Sequence, residues 1–325
     1  MVKPHIVIIS PATAEANNGN WRTAARWARF LRERYRVTVE GEWHGERCAA
    51  LIALHARRSS PSLAAFAAAF PSAPSALVLT GTDLYRDIRA DAGAKRSLQL
   101  ATRLVVLQEA GLRELDAPLR GKAVVIHQSA RPLRPGAHNS GARHWDVTMI
   151  GHLRDEKDPL TFMRAAALVR APQVRMLHIG AALDPALAEQ ALATRQALPR
   201  YRWLGSLPHA QTRQRLKQSR LMVIASRLEG GANVIAEAIA SGVPVLASDI
   251  PGNRGMLGDG YAGYFPAGDE RALAALIERC AGDHAFHALL LAQCEARAPL
   301  FSPQRERAAV LQLADNMLTL NGTLS

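Results

Sequence analysis

Short apolar runs alternate with stretches of helical spacing along most of the chain. The first set lies at residues 6–9, 37–39, 50–54, 76–79, 104–107 and 124–126, each with the length and composition of a buried strand. Between the first two, residues 19–34 place Trp21, Ala24, Ala25, Ala28 and Leu31 on one helical face, with Arg22, Arg26 and Arg29 on another. From 131 to 143 the pattern lapses into Pro132, Pro135, Gly136, Asn139, Ser140 and Gly141, a linker composition. Alternation resumes at 147–150 and continues at 174–179, 203–205, 221–225 and 243–247. A last amphipathic segment, 303–320, sets Val310, Leu313, Ala314, Met317 and Leu318 on one side. Strands separated by helices predict parallel sheets covered on both faces. The expected organisation is a first α/β domain over 1–135, a linker at 136–144, a second α/β domain over 145–302 and a closing helix over 303–325. No internal repeat suggests a solenoid.

One stretch organises the rest. After the run 221–225 come Ser226, then Glu229, Gly230 and Gly231, then a helix predicted from Asn233. That helix should end at Gly242, suited to a left-handed position, with Pro244 beyond it. Glu229 and Glu237 then flank a glycine-backed helix start at the carboxyl end of a strand. In open α/β sheets that edge is where ligands bind, and unpaired N–H groups there suit an anion such as a diphosphate. An ordinary turn followed by a helix with one solvated Glu fits the same residues.

Other loops fall at strand ends. Residues 11–20 are rich in turn formers, and Asn17, Asn18, Gly19 and Asn20 offer backbone N–H groups and amides; G-x-G-x-x-G is absent. Thr80, Gly81, Thr82 and Asp83 follow another strand, where Asp83 can bind a hydroxyl, act as a base or cap the next helix. Lys95 and Arg96 open a further helical pattern and can hold an anion or stay solvated. Gln108, Gln128 and Ser129 also end strands and are weaker candidates. In the second half, Arg154 and Lys157 follow its first strand, where two cations would neutralise phosphates of a leaving group. His209 begins a helix at 211–219, to meet a ligand or simply face water. The segment 248–253 reads as a flexible loop on the same edge.

Composition narrows the partners. At 325 residues the chain can bury two cores, and 48% hydrophobic with 21% charged residues is ordinary for a globular protein. The formal charge of +12 admits an anionic partner or an arginine-rich surface, but 5% aromatic residues and no basic block argue against nucleic acid. Cys48, Cys280 and Cys294 show no metal-type pairing, which fits a reduced compartment. The N-terminus enters a strand without a signal-peptide layout, and residues 63–70 are too short to cross a bilayer. A cytoplasmic protein without stable membrane association is expected.

Taken together, these residues resemble the GT-B glycosyltransferases of the large family 4 group. The resemblance covers the second domain and, more loosely, the first. It rests on Glu229 and Glu237 with seven residues between them, Gly230 and Gly231 among those seven, and Gly242, Pro244 and Val245 after them. It implies the GT-B architecture: two Rossmann-like doubly wound parallel-sheet domains facing a central cleft, the first binding acceptor and the second a nucleotide-sugar. It further implies that Glu229 lies by the donor sugar, Glu237 holds the ribose hydroxyls, and the backbone of Gly230, Gly231, Ala232 and Asn233 approaches the diphosphate. The family's G-R-L-x-x-x-K appears as Gly151-His152-Leu153-Arg154-Asp155-Glu156-Lys157, with His152 in place of the usual Arg and Arg154 able to reach back. Metal independence is implied, with the UDP-sugar as co-substrate.

The run Pro11-Ala-Thr-Ala-Glu-Ala-Asn-Asn-Gly-Asn-Trp-Arg-Thr-Ala, with Thr80-Gly-Thr-Asp-Leu-Tyr and Glu229-Gly-Gly-Ala-Asn-Val-Ile, resembles the selenosugar synthase subgroup of selenoneine biosynthesis. That subgroup joins selenophosphate to a UDP-N-acetylhexosamine, UDP-N-acetylglucosamine being the donor expected. The resemblance places the acceptor at Gly19, Asn20, Arg22, Thr23, Thr82, Asp83, Lys95 and Arg96. A carbohydrate or lipid-linked acceptor, or a non-catalytic scaffold binding an anionic partner, are the alternatives.

Overall fold

The computed structural model describes residues 3–11, 19–133 and 144–322, with side chains to 319. Asn17 and Asn18, and nearly all of the expected linker, lie outside the described residues. The chain divides into two compact units. One comprises Met1–Ser129, Glu229–Ala232 and Ser302–Ser325; the other comprises Ala130–Leu228 and Asn233–Phe301.

The first unit is built on a parallel sheet of β1 (His5–Ile9), β2 (Arg36–Glu40), β3 (Ala50–Leu54), β4 (Ser75–Val78), β5 (Arg103–Val106) and β6 (Ala123–Val125), in the order β2-β1-β3-β4-β5-β6. Its strands are apolar at successive positions because both faces are covered. Ile6, Ile8, Ile52 and Leu54 pack under the helices Gly19–Leu31 and Pro303–Gly322. Val7, Ile9, Leu51 and Ala53 pack under Ser60–Ala69 and Ala92–Leu100.

Trp27, not Trp21, is the fully buried indole of Gly19–Leu31, alongside Ala24, Ala28 and Leu31. Trp27 shares the helical face of Ala24, Ala28 and Leu31, and its indole N–H needs a polar partner there. That partner is Glu306 on the closing helix, 1% exposed. Its carboxylate accepts from the Trp27 indole at 2.8 Å, Arg26 at 2.7 Å, and the Ser129 amide and hydroxyl at 2.8 and 2.5 Å. The closing helix therefore completes the first unit, where it also buries Val310, Leu313, Ala314 and Met317.

The second unit holds β7 (Trp145–Ile150), β8 (Val174–Ile179), β9 (Tyr201–Trp203), β10 (Leu221–Ile224), β11 (Val245–Ser248) and β12 (Tyr264–Phe265), in the order β12-β11-β10-β7-β8-β9. All pairings are parallel. The strand β12, two residues long, was not legible as a run. Chain order reverses between β7 and β10 in this sheet and between β1 and β3 in the other. Such switch points open the carboxyl edge of an α/β sheet to ligands.

Removing the Glu306 carboxylate takes an ion-pair partner from the Arg26 guanidinium and strips a buried acceptor from three other donors. Glu306→Ala should cost roughly 3–5 kcal/mol, read as a shift in urea unfolding, with Glu306→Gln costing less. An unchanged midpoint for Glu306→Ala would show that the network carries no stability.

Candidate functional site

In the second unit the segment after β7 and the segment after β10 meet at the switch point. The Arg227 amide donates to the Glu156 carbonyl at 2.9 Å, and the Arg227 guanidinium lies 3.4 Å from Asp158 and 3.7 Å from Asp155. Asp158 turns the chain with φ 45° and anchors Thr161, whose hydroxyl donates to it at 2.8 Å. This holds residues 151–157 in a fixed path. The Lys157 stem lies 3.5 Å from where a Gly151 side chain would begin, and Arg154 stands 4.0 Å from Glu156.

His178, on β8, supports the same segment from beneath. It is fully buried, donates through Nε2 to the Gly151 carbonyl at 3.1 Å and accepts at Nδ1 from the Tyr201 hydroxyl at 3.0 Å. Burial pushes its imidazole down to about 4, so it stays neutral at pH 7. At Gly180 any Cβ would fall 1.9 Å from the Gly151 carbonyl oxygen, so β7 and β8 can end this close together only with glycine there. His152 is half-buried and its Nδ1 accepts from the Ala181 amide at 3.0 Å.

The helix Asn233–Ile239 carries Glu237, 6% exposed, whose Oε1 is 2.7 Å from His209 Nε2. His209 is 44% exposed in its side chain and begins the helix His209–Gln218. It is thus neither a bare ligand contact nor a plain surface histidine; it holds a buried carboxylate in place. The chain then turns at Gly242 with φ 67°, the left-handed stop that its sequence called for. The expected flexible loop at 248–253 is ordered instead. A helix starts at Pro251, and the buried Asn253 amide donates to the Ser248 carbonyl at 2.9 Å and hydroxyl at 3.0 Å.

In the first unit the segment Glu229–Ala232 packs against the carboxyl ends of β4 and β5. A Cβ on Gly230 would sit 2.4 Å from the Thr80 carbonyl carbon and 2.6 Å from the Gly81 nitrogen, and one on Gly231 would sit 2.5 Å from the Leu107 Cβ. The two glycines are therefore required by protein packing, whatever ligand their N–H groups meet. Glu229 is 8% exposed and acts electrostatically on Tyr85. That phenol is pushed up to about 12, chiefly by burial, and it accepts from the Gln108 amide at 2.8 Å.

Two of the residues expected at the acceptor are engaged within the protein. Asp83 is fully buried, and its carboxylate accepts the amides of Ala56 at 2.9 Å, Thr80 at 2.9 Å and Gly81 at 2.8 Å, so it shapes the turn and presents nothing outward. Thr23 is also fully buried; its hydroxyl donates to the Gly19 carbonyl at 2.9 Å and accepts from the Gln128 amide at 2.6 Å. Gly19 is exposed, and Asn20 and Arg22 are half-buried on the first helix. Lys95 and Arg96 are exposed on Ala92–Leu100, and Thr82 is half-buried beside Asp83.

The residue that sequence reasoning passed over is His55, directly after β3. It is 4% exposed with φ 73°, a conformation that costs a non-glycine residue about 1–3 kcal/mol. Its Nε2 lies 3.2 Å from the Thr82 hydroxyl and 4.0 Å from Asp87. Burial holds the imidazole below its ordinary value, against the opposing pull of Asp83. A five-residue π-helical turn, Asp83–Asp87, faces it, a rare form that recurs at functional sites. The sequence signal was a histidine and two arginines at the end of an apolar run. Among the described residues no group of three or more His, Cys, Asp or Glu side chains is arranged to hold a metal ion, and no helix is long and apolar enough to cross a membrane.

Residues 145–283 match the family model for glycosyl transferases group 1. That stretch is similar to group 1 glycosyltransferases and spans less than half of the chain. A Xenopus tropicalis protein named glycosyltransferase 1 domain-containing protein 1 is 33% identical over 122 residues, 37% of this chain and 35% of that relative's length. Among solved structures, Anabaena HepE in complex with UDP and glucose is similar with a TM-score of 0.79 at 16% identity, covering 96% of this chain and 100% of that one. The sucrose-phosphate synthase of Thermosynechococcus elongatus gives a TM-score of 0.79 at 18% identity, covering 98% and 100%. The two six-stranded parallel sheets with flanking helices are the GT-B fold of these proteins.

Two outcomes follow for His178 and Gly230. His178 binds its proton near pH 6.5 when unfolded but only near 4 when folded, so the unfolded state takes up more protons in between. Stability should therefore fall as pH drops from 6.5 to 4, by up to roughly 3 kcal/mol from this group. Unfolding free energies of wild type and His178→Phe against pH would test this; parallel curves would refute it. Gly230→Ala should lower the melting temperature by several degrees, since only backbone movement relieves the clash, and an unchanged melting curve would show that the segment yields freely.

Proposed function

We propose that the chain is a UDP-sugar-dependent glycosyltransferase that joins selenophosphate to an N-acetylhexosamine, with UDP-N-acetylglucosamine as the donor. The observation that carries the transferase reading is the switch point of the group 1 domain. There the segment bearing His152, Arg154 and Lys157 is locked to the segment after β10, and Glu237 stands buried and oriented by His209. UDP and glucose in the HepE structure lend support to a UDP-sugar donor. Selenophosphate as acceptor rests on the loop sequences that resemble the selenosugar synthases, around Gly19, Thr80 and Glu229.

In this reading the Glu237 carboxylate accepts from the ribose hydroxyls, and His209 keeps it aimed. Glu229 contacts the donor sugar, while the amides of Gly230, Gly231, Ala232 and Asn233 approach the diphosphate. Arg154 and Lys157, with His152 beside them, stabilise the charge that gathers on the diphosphate as the anomeric C–O bond breaks. The selenium lone pair forms the new C–Se bond, and the electron pair of the broken bond leaves with UDP. A selenium anion is largely deprotonated near neutral pH, so positioning matters more than a general base. The reaction is cytoplasmic and involves only small molecules. No metal is required, and the expected domain roles are acceptor binding over 1–135 and donor binding over 145–302.

The test supplies UDP-N-acetylglucosamine with selenophosphate, thiophosphate, phosphate or sugar acceptors and follows UDP release. Turnover confined to sugar or lipid acceptors would overturn the selenium reading. Arg154→Ala and Lys157→Ala should each slow turnover by roughly 2–4 kcal/mol in barrier. Glu237→Ala should weaken UDP binding by roughly 1.5–3 kcal/mol, and wild-type affinity in that variant would remove Glu237 from the donor site.

A further inference from the structure

The carboxyl ends of β3 and β4 bring together His55, Arg57, Arg58, Thr82, Asp83, Arg86 and Asp87. Every carboxylate in this group is already engaged. Asp83 takes three backbone amides; Asp87 accepts from Arg86 at Oδ1 and pairs electrostatically with Arg57 at Oδ2, each at 3.2 Å, though Oδ2 accepts no hydrogen bond. Arg58 remains exposed beside them. Its amide approaches His55 Nδ1 at 3.4 Å, which makes that nitrogen the acceptor and puts the ring proton of the neutral imidazole on Nε2. Nε2–H then donates to the Thr82 oxygen at 3.2 Å. With a lone pair so occupied, the Thr82 hydroxyl must send its own proton elsewhere, and no acceptor lies within reach of it among the described residues.

The position of that hydroxyl matters. Gly81, its neighbour, lies so close to Gly230 that a Cβ there would be 3.2 Å from the Gly230 nitrogen. The donor proton is thus set one residue from the segment that carries Glu229, in the same unit. His55 itself stands beside the β1/β3 switch point of the first sheet, the edge at which such sheets take ligands.

We infer that this cluster is the acceptor's anchoring point, and that it selects a phosphate-class oxyanion: the Thr82 hydroxyl and the Arg58 guanidinium bind it, and His55 is the positioning residue that turns the hydroxyl outward. The inference rests on the transferase reading and adds the residues that choose the acceptor. It also explains a strained histidine where the fold needs only a turn. A threonine oxygen already accepting from an imidazole donates more readily to an anion, and neighbouring cations lower the cost of bringing that anion out of water.

The experiment measures binding of inorganic thiophosphate to the UDP-loaded protein by calorimetry, with glucose 6-phosphate as a second arm, and then acceptor KM and kcat. Thr82→Val should weaken thiophosphate binding and raise acceptor KM by about tenfold or more, while UDP affinity and melting temperature stay near wild type. Thr82→Ser, which keeps the hydroxyl, should restore most of the loss. His55→Asn, whose side chain tolerates the positive φ, should raise KM more than it lowers kcat. Wild-type acceptor KM in both Thr82→Val and His55→Asn would overturn the inference. Thiophosphate binding that depends on Thr82 without any turnover would uphold the anion site and defeat the selenium reading. Binding of glucose 6-phosphate alone would place the oxyanion on a sugar and keep the site. Binding of neither anion by wild type would overturn it.

Discussion

The close approach of Gly230 to Thr80 and Gly81 is the constraint on which the first unit's functional edge depends. Backbone meets backbone there with no room for a single added carbon. Such contact fixes the backbone that carries Glu229 against the turn that follows β4, and the turn is itself over-determined. Three of its surrounding amides converge on Asp83, a buried carboxylate that also accepts from the Thr80 hydroxyl. Buried charge of that kind is tolerated only when its hydrogen-bonding capacity is met. Thr82 and His55 inherit a fixed position from it. A positive φ at a histidine persists only where its surroundings determine it, and here they do.

The second unit reaches the same end by a related route. Gly180 lets the end of β8 touch the Gly151 carbonyl, and His178 secures that carbonyl from below with a proton it does not share with solvent. The arginine after β10 ties the loop to the neighbouring strand. In both units the groups suited to chemistry sit on segments held by backbone contacts rather than by side-chain packing. Rigid support of this kind keeps reacting groups within the small tolerances that catalysis demands.

The strands were largely legible in the sequence, because two-sided burial writes an unbroken apolar run. The run at 174–179 coincides with β8, and the six runs of the first half each correspond to a strand of one sheet. Strand order was not legible, since no local pattern records which strands pair. Backbone devices around the candidate site were legible where glycine punctuates the pattern, as at Gly242, whose positive φ stops the helix. Burial was not legible where a polar side chain serves the backbone: Asp83 and Thr23 carry the same residue types as ligand contacts, yet both are fully buried. His55 escaped notice for the opposite reason. A histidine ending an apolar run looks like the strand's last residue until its dihedral angle is known.

The positive balance of the chain takes on a local meaning in this light. Arginines are drawn into specific pairs, Arg26 with Glu306, Arg175 with Asp146, and Arg254 with Asp249, and these contribute structure rather than a field. At physiological ionic strength an exposed charge reaches only about 8 Å before salt screens it. A net charge of +12 spread over 325 residues is therefore a poor guide to any ligand. What an oxyanion senses is the difference, within that radius, between charges already compensated and those still facing water. Beside Thr82 the carboxylates of Asp83 and Asp87 are compensated and the Arg58 guanidinium is exposed, so the local sum favours an anion for reasons that overall composition does not contain.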